Sequence, residues 1–299
     1  MKFETIKSDL VLFLVAFIWG LAFVAQRSGM EHVGPFTFNG LRFFLASMSL
    51  FPFLFFFNNK NNITKKSPIN KPQLIKYGFI SSIFLFSGIS FQQVGIVYTT
   101  AGKAGFITGL YVVIVPIFGM IFKLHKTNLN TWAGAFLAAI GMYLLCVTKQ
   151  FTISYGDFLI LICAFCFAGH VLIIANFSKK FPAIHLSFIQ SLICAIVSMI
   201  LAFIYEDVNI KGIINAAIPI LYGGIFSSAI AYSLQIYGQK RTHPAHASII
   251  MSFESVFAAL TGWLILNEIF TKRAVWGCVL ILIGMLMSQI YISKKQNNT

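Results

Sequence analysis

The sequence predicts an all-α membrane protein in which ten transmembrane helices form two inverted five-helix repeats around a central cavity. Apolar segments recur along the chain, and each is long enough to cross a hydrocarbon core of about 30 Å. Hydrophobic residues make up 58% of the 299 residues and charged residues only 10%, whereas soluble domains carry about a quarter charged residues. The third observation is that the two halves of the chain align with each other.

Short turns separate the apolar segments, and one longer polar connection, NNKNNITKKSPINKP, covers 58–72. The first segment follows Lys2 and Lys7 but lacks a small-residue cleavage site, so we expect a retained span and not a removed signal peptide. In chain order the predicted spans are 10–27, 35–57, 74–95, 99–122, 130–148, 155–177, 183–204, 213–237, 244–266 and 273–292.

The formal net charge of +14 is explained by an uneven distribution over the predicted loops. Of the 22 Lys and Arg residues, 15 fall on the side of the N-terminus, 5 on the opposite side, and Arg42 and Lys103 within spans. This bias predicts a multi-pass protein of a bacterial inner (cell) membrane with both termini in the cytoplasm. No basic patch lies outside these short loops, which argues against a nucleic-acid partner.

Neither a metal nor another cofactor is predicted. All five cysteines lie within predicted spans, and CAFC at 163–166 has redox spacing but sits in an apolar helix without a strand–helix context. The six histidines lack metal-ligand spacing. The chain contains no Walker motif, which excludes ATP as a driving force within it.

Two shifts align the halves of the chain. A shift of 148 residues lays FIWGLAFVAQ at 17–26 over FCFAGHVLII at 165–174. A shift of 143 residues lays TTAGKAGFITGLYVVIV at 99–115 over THPAHASIIMSFESVFA at 242–258, and Gly134 over Gly277. One shift that holds over two segments indicates an internal duplication.

The duplication predicts two repeats, 1–149 and 150–299, of five helices each. The longer loop at 58–73 absorbs the change from one shift to the other. Five is an odd number, so the second copy enters the membrane from the opposite side. Inverted repeats of this kind usually place a substrate site near the membrane midplane between the halves.

Four motifs resemble the EamA-type drug/metabolite transporter family. They are WGLAF at 19–23, LRFFLA at 41–46, FESVFAALTGWLILNE at 253–268 and GCVLILIGM at 277–285. The resemblance implies ten helices around a central cavity and the movement of small metabolites, often amino acids and mostly outward. One position departs from the family pattern: a proline usually follows the ninth-helix glutamate, and here Ser255 follows Glu254. We therefore expect a straighter ninth helix.

Arg42 lies inside a predicted span, seven residues from its start near Pro35 and therefore about 10 Å below the membrane surface. Insertion scales put a charge at a helix centre at about 2.5–3.5 kcal/mol unfavourable. Arg42 either pins helix ends through backbone carbonyls or holds an anion or carboxylate with its planar fork. Asn39 lies one turn earlier on the same face and could share either role.

Glu254 is the deepest charge, about 15 Å into its span and therefore at mid-depth. The shift of 143 residues pairs it with Tyr111 and pairs His246 with Lys103. Glu254 either lines the central cavity, where it binds substrate or exchanges a proton, or packs as a protonated acid against another helix. His246 is a second candidate for proton coupling.

Other polar and aromatic residues complete the predicted cavity. The eighth span carries a polar stripe at spacings of 4, 3 and 4, which faces other helices or a water-filled cavity. Trp19 and Phe23 either line the cavity or pack in the core. We interpret the isolated His170 as a hydrogen-bonded packing residue. The stripe consists of Ser228, Tyr232, Gln235 and Gln239. The cavity candidates are Trp19, Phe23, Gln26, Asn39, Arg42, Gln92, Tyr111, Tyr232, Gln235 and Glu254.

Three classes of function compete. A secondary transporter that exports an amino acid or related metabolite by alternating access explains the duplication, the inversion and the mid-depth polar groups together. A transporter of nucleosides or sulfonium compounds is an alternative. A membrane enzyme would need a cluster of acids, histidines or a nucleophile at one depth, and a channel would need a ring of like residues. Expected partners are a small-molecule substrate, the lipid bilayer and protons or another coupling ion, while the oligomeric state stays open.

Overall fold

Every secondary-structure element among the described residues is a helix. The computed structural model describes residues 2–63, 70–125, 127–146, 154–267, 269 and 271–297. The predicted repeat boundary at 149–150 and Glu268 of the family motif lie outside these residues.

The helices follow the predicted segments closely. The first eight are α1 (Lys2–Gly29), α2 (Pro35–Ile63), α3 (Lys71–Ile96), α4 (Ala101–Gly109), α5 (Tyr111–Ile121), α6 (Leu129–Cys146), α7 (Tyr155–Phe177) and α8 (Ala183–Tyr205). The others are α9 (Ile210–Asn215), α10 (Ala217–Leu221), a π-helix (Tyr222–Ala231), α11 (Tyr232–Gln239), α12 (Pro244–Met251), α13 (Glu254–Leu266) and α14 (Lys272–Asn297).

Seven helical segments within the described residues are long and apolar enough to cross a membrane. The chain is therefore a multi-pass membrane protein. The other three predicted spans fall on α2, α6 and α14, which are helical as expected. The count of ten crossings stays a prediction. The seven segments are Glu4–Gly29, Lys71–Ile96, Ala101–Ile121, Tyr155–Phe177, Ala183–Tyr205, Ala217–Gln239 and Pro244–Leu266.

The ninth predicted span is broken, so the expectation of a straighter helix was wrong. Helix α12 ends at Met251 and α13 begins at Glu254. The Ser252 hydroxyl donates to the Ile249 carbonyl at 2.8 Å, and the Phe253 amide bonds the Ile250 carbonyl instead. The tight turn at Ser252–Phe253 therefore interrupts the helix without any proline.

The fourth predicted span is broken in the same way, between α4 and α5 at Leu110. The Leu110 amide bonds the Ile107 carbonyl, and the Val113 amide bonds the Leu110 carbonyl, both three residues back. Such a tight turn interrupts the α-helical ladder. The 143-residue shift carries Leu110 to Phe253, so the two breaks occupy aligned positions.

The eighth predicted span contains ten residues of π-helix, Tyr222–Ala231. A π-helix carries i→i+5 hydrogen bonds, occurs rarely and is frequent at functional sites. Two contacts anchor it to α1: Trp19 Nε1 donates to the Ser227 carbonyl at 3.1 Å, and Tyr222 Oη donates to the Ile18 carbonyl at 2.9 Å. Gly224 lets α2 approach closely, because a Cβ there would lie 2.7 Å from Leu45 Cβ.

Glycines bring α6 and α14 into close contact. A Cβ at Gly284 would lie 2.5 Å from the Gly134 carbonyl oxygen, and one at Gly141 would lie 2.6 Å from the Gly277 carbonyl oxygen. The two contacts involve aligned glycines, since the 143-residue shift carries Gly134 to Gly277 and Gly141 to Gly284. Small residues at such interfaces let membrane helices approach through their backbones.

Gly284→Ala is expected to lower the Tm of the detergent-solubilised protein, because the new methyl group meets a rigid backbone carbonyl. Overpacking of this kind costs about 1–3 kcal/mol. Gly40→Ala is the matched control: its Cβ would meet mainly the flexible Met199 side chain, which can move aside. An equal loss of Tm in both variants would contradict the close backbone contact.

Candidate functional site

One cavity lies where the broken helices, α1, α2, α7 and the π-helix meet. The empty space between its lining atoms, including any part open to solvent, is about 470 Å³. The lining residues are Trp19, Ala22, Phe23, Gln26, Arg42, Gln92, Thr108, Tyr111, Phe167, His170, Val171, Ser227, Tyr232, Gln235, Met251 and Glu254.

Nine of the ten predicted cavity residues line this one cavity. The exception is Asn39, whose Nδ2 donates to the Ile89 carbonyl at 3.1 Å and so joins α2 to α3. Its role in the structure is to hold two helices together. The structure brings the other nine together, while their part in binding stays a prediction.

The two helix breaks place Tyr111 and Glu254 at the cavity. Tyr111 is the first residue of α5, and Glu254 is the first residue of α13. The Tyr111 hydroxyl faces the Glu254 carboxyl group, but Tyr111 Oη and Glu254 Oε1 have no hydrogen-bond partner among the described residues. A carboxylate in the first turn of a helix lies where the helix dipole favours negative charge.

Arg42 points into the same cavity and is only 2% exposed. Its guanidinium carbon lies 5.0 Å from the ring centroid of Phe43 and 5.7 Å from that of Phe38. No backbone carbonyl accepts a hydrogen bond from Arg42 among the described residues, and Nε is unpartnered. The predicted structural role required such carbonyl partners, so the described contacts give it no support.

Arg42 and Glu254 do not neutralise each other. The ion pairs among the described residues are Lys103–Asp157, Arg241–Glu4 and His246–Asp9. A basic and an acidic side chain therefore line one cavity without an ion-pair partner among the described residues. A buried charge is costly unless it is paired and hydrogen-bonded.

Aromatic rings form one wall between these charges. The Tyr232 ring lies 5.1 Å from Trp19, 6.0 Å from Phe43 and 6.1 Å from His170, measured between ring centroids. Phe23 is also buried and lines the cavity. This wall offers an apolar surface beside polar groups, the usual composition of a small-molecule site.

Three glutamines supply amide groups. Gln92 Nε2 donates to Thr108 Oγ1 at 3.2 Å. Gln26 Oε1 and Gln235 Oε1 are buried and have no hydrogen-bond partner among the described residues. Together with Arg42 Nε, Tyr111 Oη and Glu254 Oε1, five such atoms belong to residues that line the cavity.

Several lining residues were not predicted from the sequence. Ser227 lines the cavity in place of the predicted Ser228. Ser227 is five residues before Tyr232, and a π-helix brings residues five apart onto one face. His170, interpreted as a packing residue, does hydrogen-bond, with Nε2 2.6 Å from Gln190 Oε1, but it also lines the cavity. Thr108 is bonded to Gln92 and carried no sequence signal of its own.

His246 lies outside the cavity lining. Its Nδ1 is 2.7 Å from Ser288 Oγ, and its Nε2 is 3.4 Å from Asp9 Oδ2. Eight residues separate it from Glu254, a distance of about 12 Å along a helix. The two candidates for proton coupling therefore lie in different surroundings.

The chain resembles known proteins both in sequence and in fold. The sequence profile of the EamA-like transporter family matches residues 6–147 and 154–289. A solved crystal structure that is 16% identical superimposes with a TM-score of 0.74 and covers 96% of this chain and 98% of its own. The two proteins share a fold.

Relatives that align over nearly the full length include two uncharacterized transporters and one WAT1-related protein. An uncharacterized transporter of Archaeoglobus fulgidus is 32% identical over 97% of this chain and 88% of its own length. The uncharacterized transporter YoaV of Bacillus subtilis is 25% identical over 97% and 99%, and the WAT1-related protein At1g43650 of Arabidopsis thaliana is 22% identical over 93% and 89%. The chain is therefore a multi-pass membrane transporter that belongs to the EamA-like transporter family.

Proposed function

We propose that this transporter exports a small zwitterionic metabolite, an amino acid or a related compound, by alternating access through the cavity. One observation carries the proposal: five buried polar atoms that lack a hydrogen-bond partner among the described residues belong to residues lining a single cavity. Buried polar groups are nearly always hydrogen-bonded. A polar solute would supply the missing partners, and its charges would match those of the lining.

The chemistry of the lining fits an amino acid. The planar guanidinium group of Arg42 can donate two parallel hydrogen bonds, which is the geometry that a carboxylate accepts. Glu254 and the two unpartnered glutamine oxygens accept hydrogen bonds, as an ammonium group requires. The aromatic wall of Trp19, Phe23 and Tyr232 receives the side chain. The outward direction rests on the family resemblance alone.

Two inverted repeats would build this site from both halves. The aligned helix breaks at Leu110 and Phe253 and the aligned glycine contacts of α6 and α14 support that arrangement. In such transporters the binding site lies at the repeat interface, beside discontinuous helices. Tyr111 and Glu254, each at the start of a half-helix, would then be the equivalent groups of the two repeats.

We propose that the protein lies in the inner membrane of the cell. Both termini are proposed to face the cytoplasm. The basis is the threefold excess of Lys and Arg in the loops on the N-terminal side. A reporter that functions only in the cytoplasm should give signal when fused to either end. A silent C-terminal fusion with an active N-terminal one would mean an odd number of spans, which contradicts two five-helix repeats.

A transport assay in proteoliposomes tests the proposed function. The purified protein is reconstituted and offered labelled amino acids, nucleosides and sulfonium metabolites, with empty liposomes as the control. We expect protein-dependent movement of at least one amino acid. Movement of nucleosides or sulfonium compounds alone would overturn the substrate class. A chemically altered solute or lipid, with no solute moved under any gradient, would favour a membrane enzyme, a class that membership in a transporter family argues against.

A further inference from the structure

Two three-residue clusters of the same construction lie outside the cavity. In the first, Asp157 accepts from Lys103 Nζ at 2.5 Å on Oδ2 and from Thr99 Oγ1 at 3.0 Å on Oδ1. We name it the Lys103 latch. In the second, Asp9 Oδ2 lies 3.4 Å from His246 Nε2, and Asp9 Oδ1 accepts from Thr242 Oγ1 at 3.4 Å. We name it the His246 latch.

The two latches occupy aligned positions of the chain. The shift of 143 residues carries Thr99 to Thr242 and Lys103 to His246, and the shift of 148 residues carries Asp9 to Asp157. In each latch the carboxylate uses one oxygen for the threonine and the other for the basic residue. Three aligned residues with the same pairing make an accidental resemblance between the clusters improbable.

The latches lie at opposite ends of the helices. Asp9 is near the start of α1, whereas Arg27, near the end of α1, donates to the Ile96 and Val97 carbonyls at the end of α3. Helix α4, which carries Lys103, begins four residues after Val97. Eighteen residues of helix separate Asp9 from Arg27, which corresponds to about 27 Å.

Each latch also joins the two halves of the chain. Lys103 on α4 pairs with Asp157 on α7, and His246 on α12 pairs with Asp9 on α1. All four helices contribute to the cavity lining, through Thr108, Phe167, Met251 and Trp19 respectively. A contact between α4 and α7 therefore bridges the cavity walls at one end, and a contact between α12 and α1 bridges them at the other.

The latches are connected to the substrate groups by short helices. Lys103 and Tyr111 are eight residues apart, as are His246 and Glu254, which places each latch about 12 Å along the helix from a cavity group. The turns at Leu110 and Ser252–Phe253 lie between them. Interrupted helices are the points at which such elements can change direction.

We propose that the two latches close opposite ends of the cavity and that they open alternately during transport. The proposal rests on the proposed function, because only a transported solute needs a passage at both ends. Both latches are formed in this structure, and the cavity residues between them are buried. Transport requires one inter-half contact to break while the other holds, so that solute never meets an open channel.

The two latches differ in strength. The first latch pairs its carboxylate with a lysine, whereas the second pairs it with a histidine, whose imidazole is charged only when protonated. The Lys103 pair is also shorter, at 2.5 Å against 3.4 Å. The His246 end is therefore the one that opens more readily.

Thiol accessibility tests the latches without knowledge of the substrate. In a full-length chain whose native cysteines are replaced, Ala22→Cys places one thiol in the cavity lining. A membrane-impermeant methanethiosulfonate reagent is added to either side of oriented vesicles. Lys103→Met should speed labelling about tenfold from the side of Lys103, and His246→Met from the side of the N-terminus.

A variant that should strengthen a latch provides a second test in case Lys103→Met or His246→Met folds poorly. His246→Lys gives the second latch the same basic residue as the first, so labelling from the N-terminal side should become slower than in the parent, which partial unfolding cannot produce. Equal labelling from both sides in all variants would overturn the latches even if amino acids are transported. Side-specific labelling without any amino acid transport would uphold the latches and reject the substrate class.

Discussion

Glu254→Gln is expected to weaken binding and transport of zwitterionic and cationic solutes by about 10- to 100-fold. A hydrogen bond to a charged group contributes about 1.5–3 kcal/mol, and 1.4 kcal/mol corresponds to a factor of ten in affinity. Glutamine keeps the shape of the side chain and removes its charge and titration. Apparent KM values in proteoliposomes and Kd values in detergent measure the effect, while neutral solutes should be unaffected.

Glu31→Gln is the matched control, since it makes the same chemical change at an exposed residue of the turn after α1. Loss of pH dependence with substrate exchange retained would assign Glu254 to proton coupling instead of ammonium binding. Full activity of Glu254→Gln at every pH would make Glu254 a packing residue and would contradict the site on α13.

Arg42→Lys is expected to leave the amount of folded protein normal and to raise the apparent KM for carboxylate-bearing solutes about tenfold. Lysine keeps the charge and loses the planar fork that binds a carboxylate through two parallel hydrogen bonds. Arg42→Ala should abolish high-affinity uptake of these solutes. It should not reduce protein abundance, because it removes a buried charge that has no counter-ion among the described residues.

Arg27 provides the contrast, because it does what a structural arginine would do. It bonds the Ile96 and Val97 carbonyls at 3.4 and 3.1 Å. Arg27→Lys should therefore lower the Tm without changing the apparent KM. If Arg42→Lys behaves like Arg27→Lys, or if Arg42→Ala has normal abundance and normal transport, Arg42 is not a substrate clamp.

Much of the fold could be predicted from composition because a lipid environment restricts the choice. A segment of about 20 apolar residues must satisfy its backbone internally, so it forms a helix. Polar residues inside such segments are costly and tend to face protein or water. That rule selected Gln235 and the two charged residues, Arg42 and Glu254, and all three line the cavity. Gln92 followed as the repeat partner of Gln235, and it lines the cavity as well.

The structure differs from the sequence-based prediction where local hydrogen bonds decide the geometry. Residue types alone do not reveal which hydrogen bonds form. A tight turn at Ser252–Phe253 breaks the ninth span, where only a missing proline had been considered. The π-helix changes which residues share a face, so Ser227 replaces Ser228. Asn39 turns toward the Ile89 carbonyl and leaves the cavity. Each outcome depends on which backbone group lies within reach in three dimensions.

Equilibrium binding of a matched solute series tests most directly whether the two unpaired charges hold the substrate. The series consists of the best transported amino acid, its decarboxylated amine and its deaminated acid, each titrated against the wild type, Arg42→Ala and Glu254→Gln. Arg42→Ala should lose affinity for the amino acid and the acid but not for the amine. Glu254→Gln should lose affinity for the amino acid and the amine but not for the acid. Equal losses for all three solutes in both variants, or no loss in either, would contradict the proposed site.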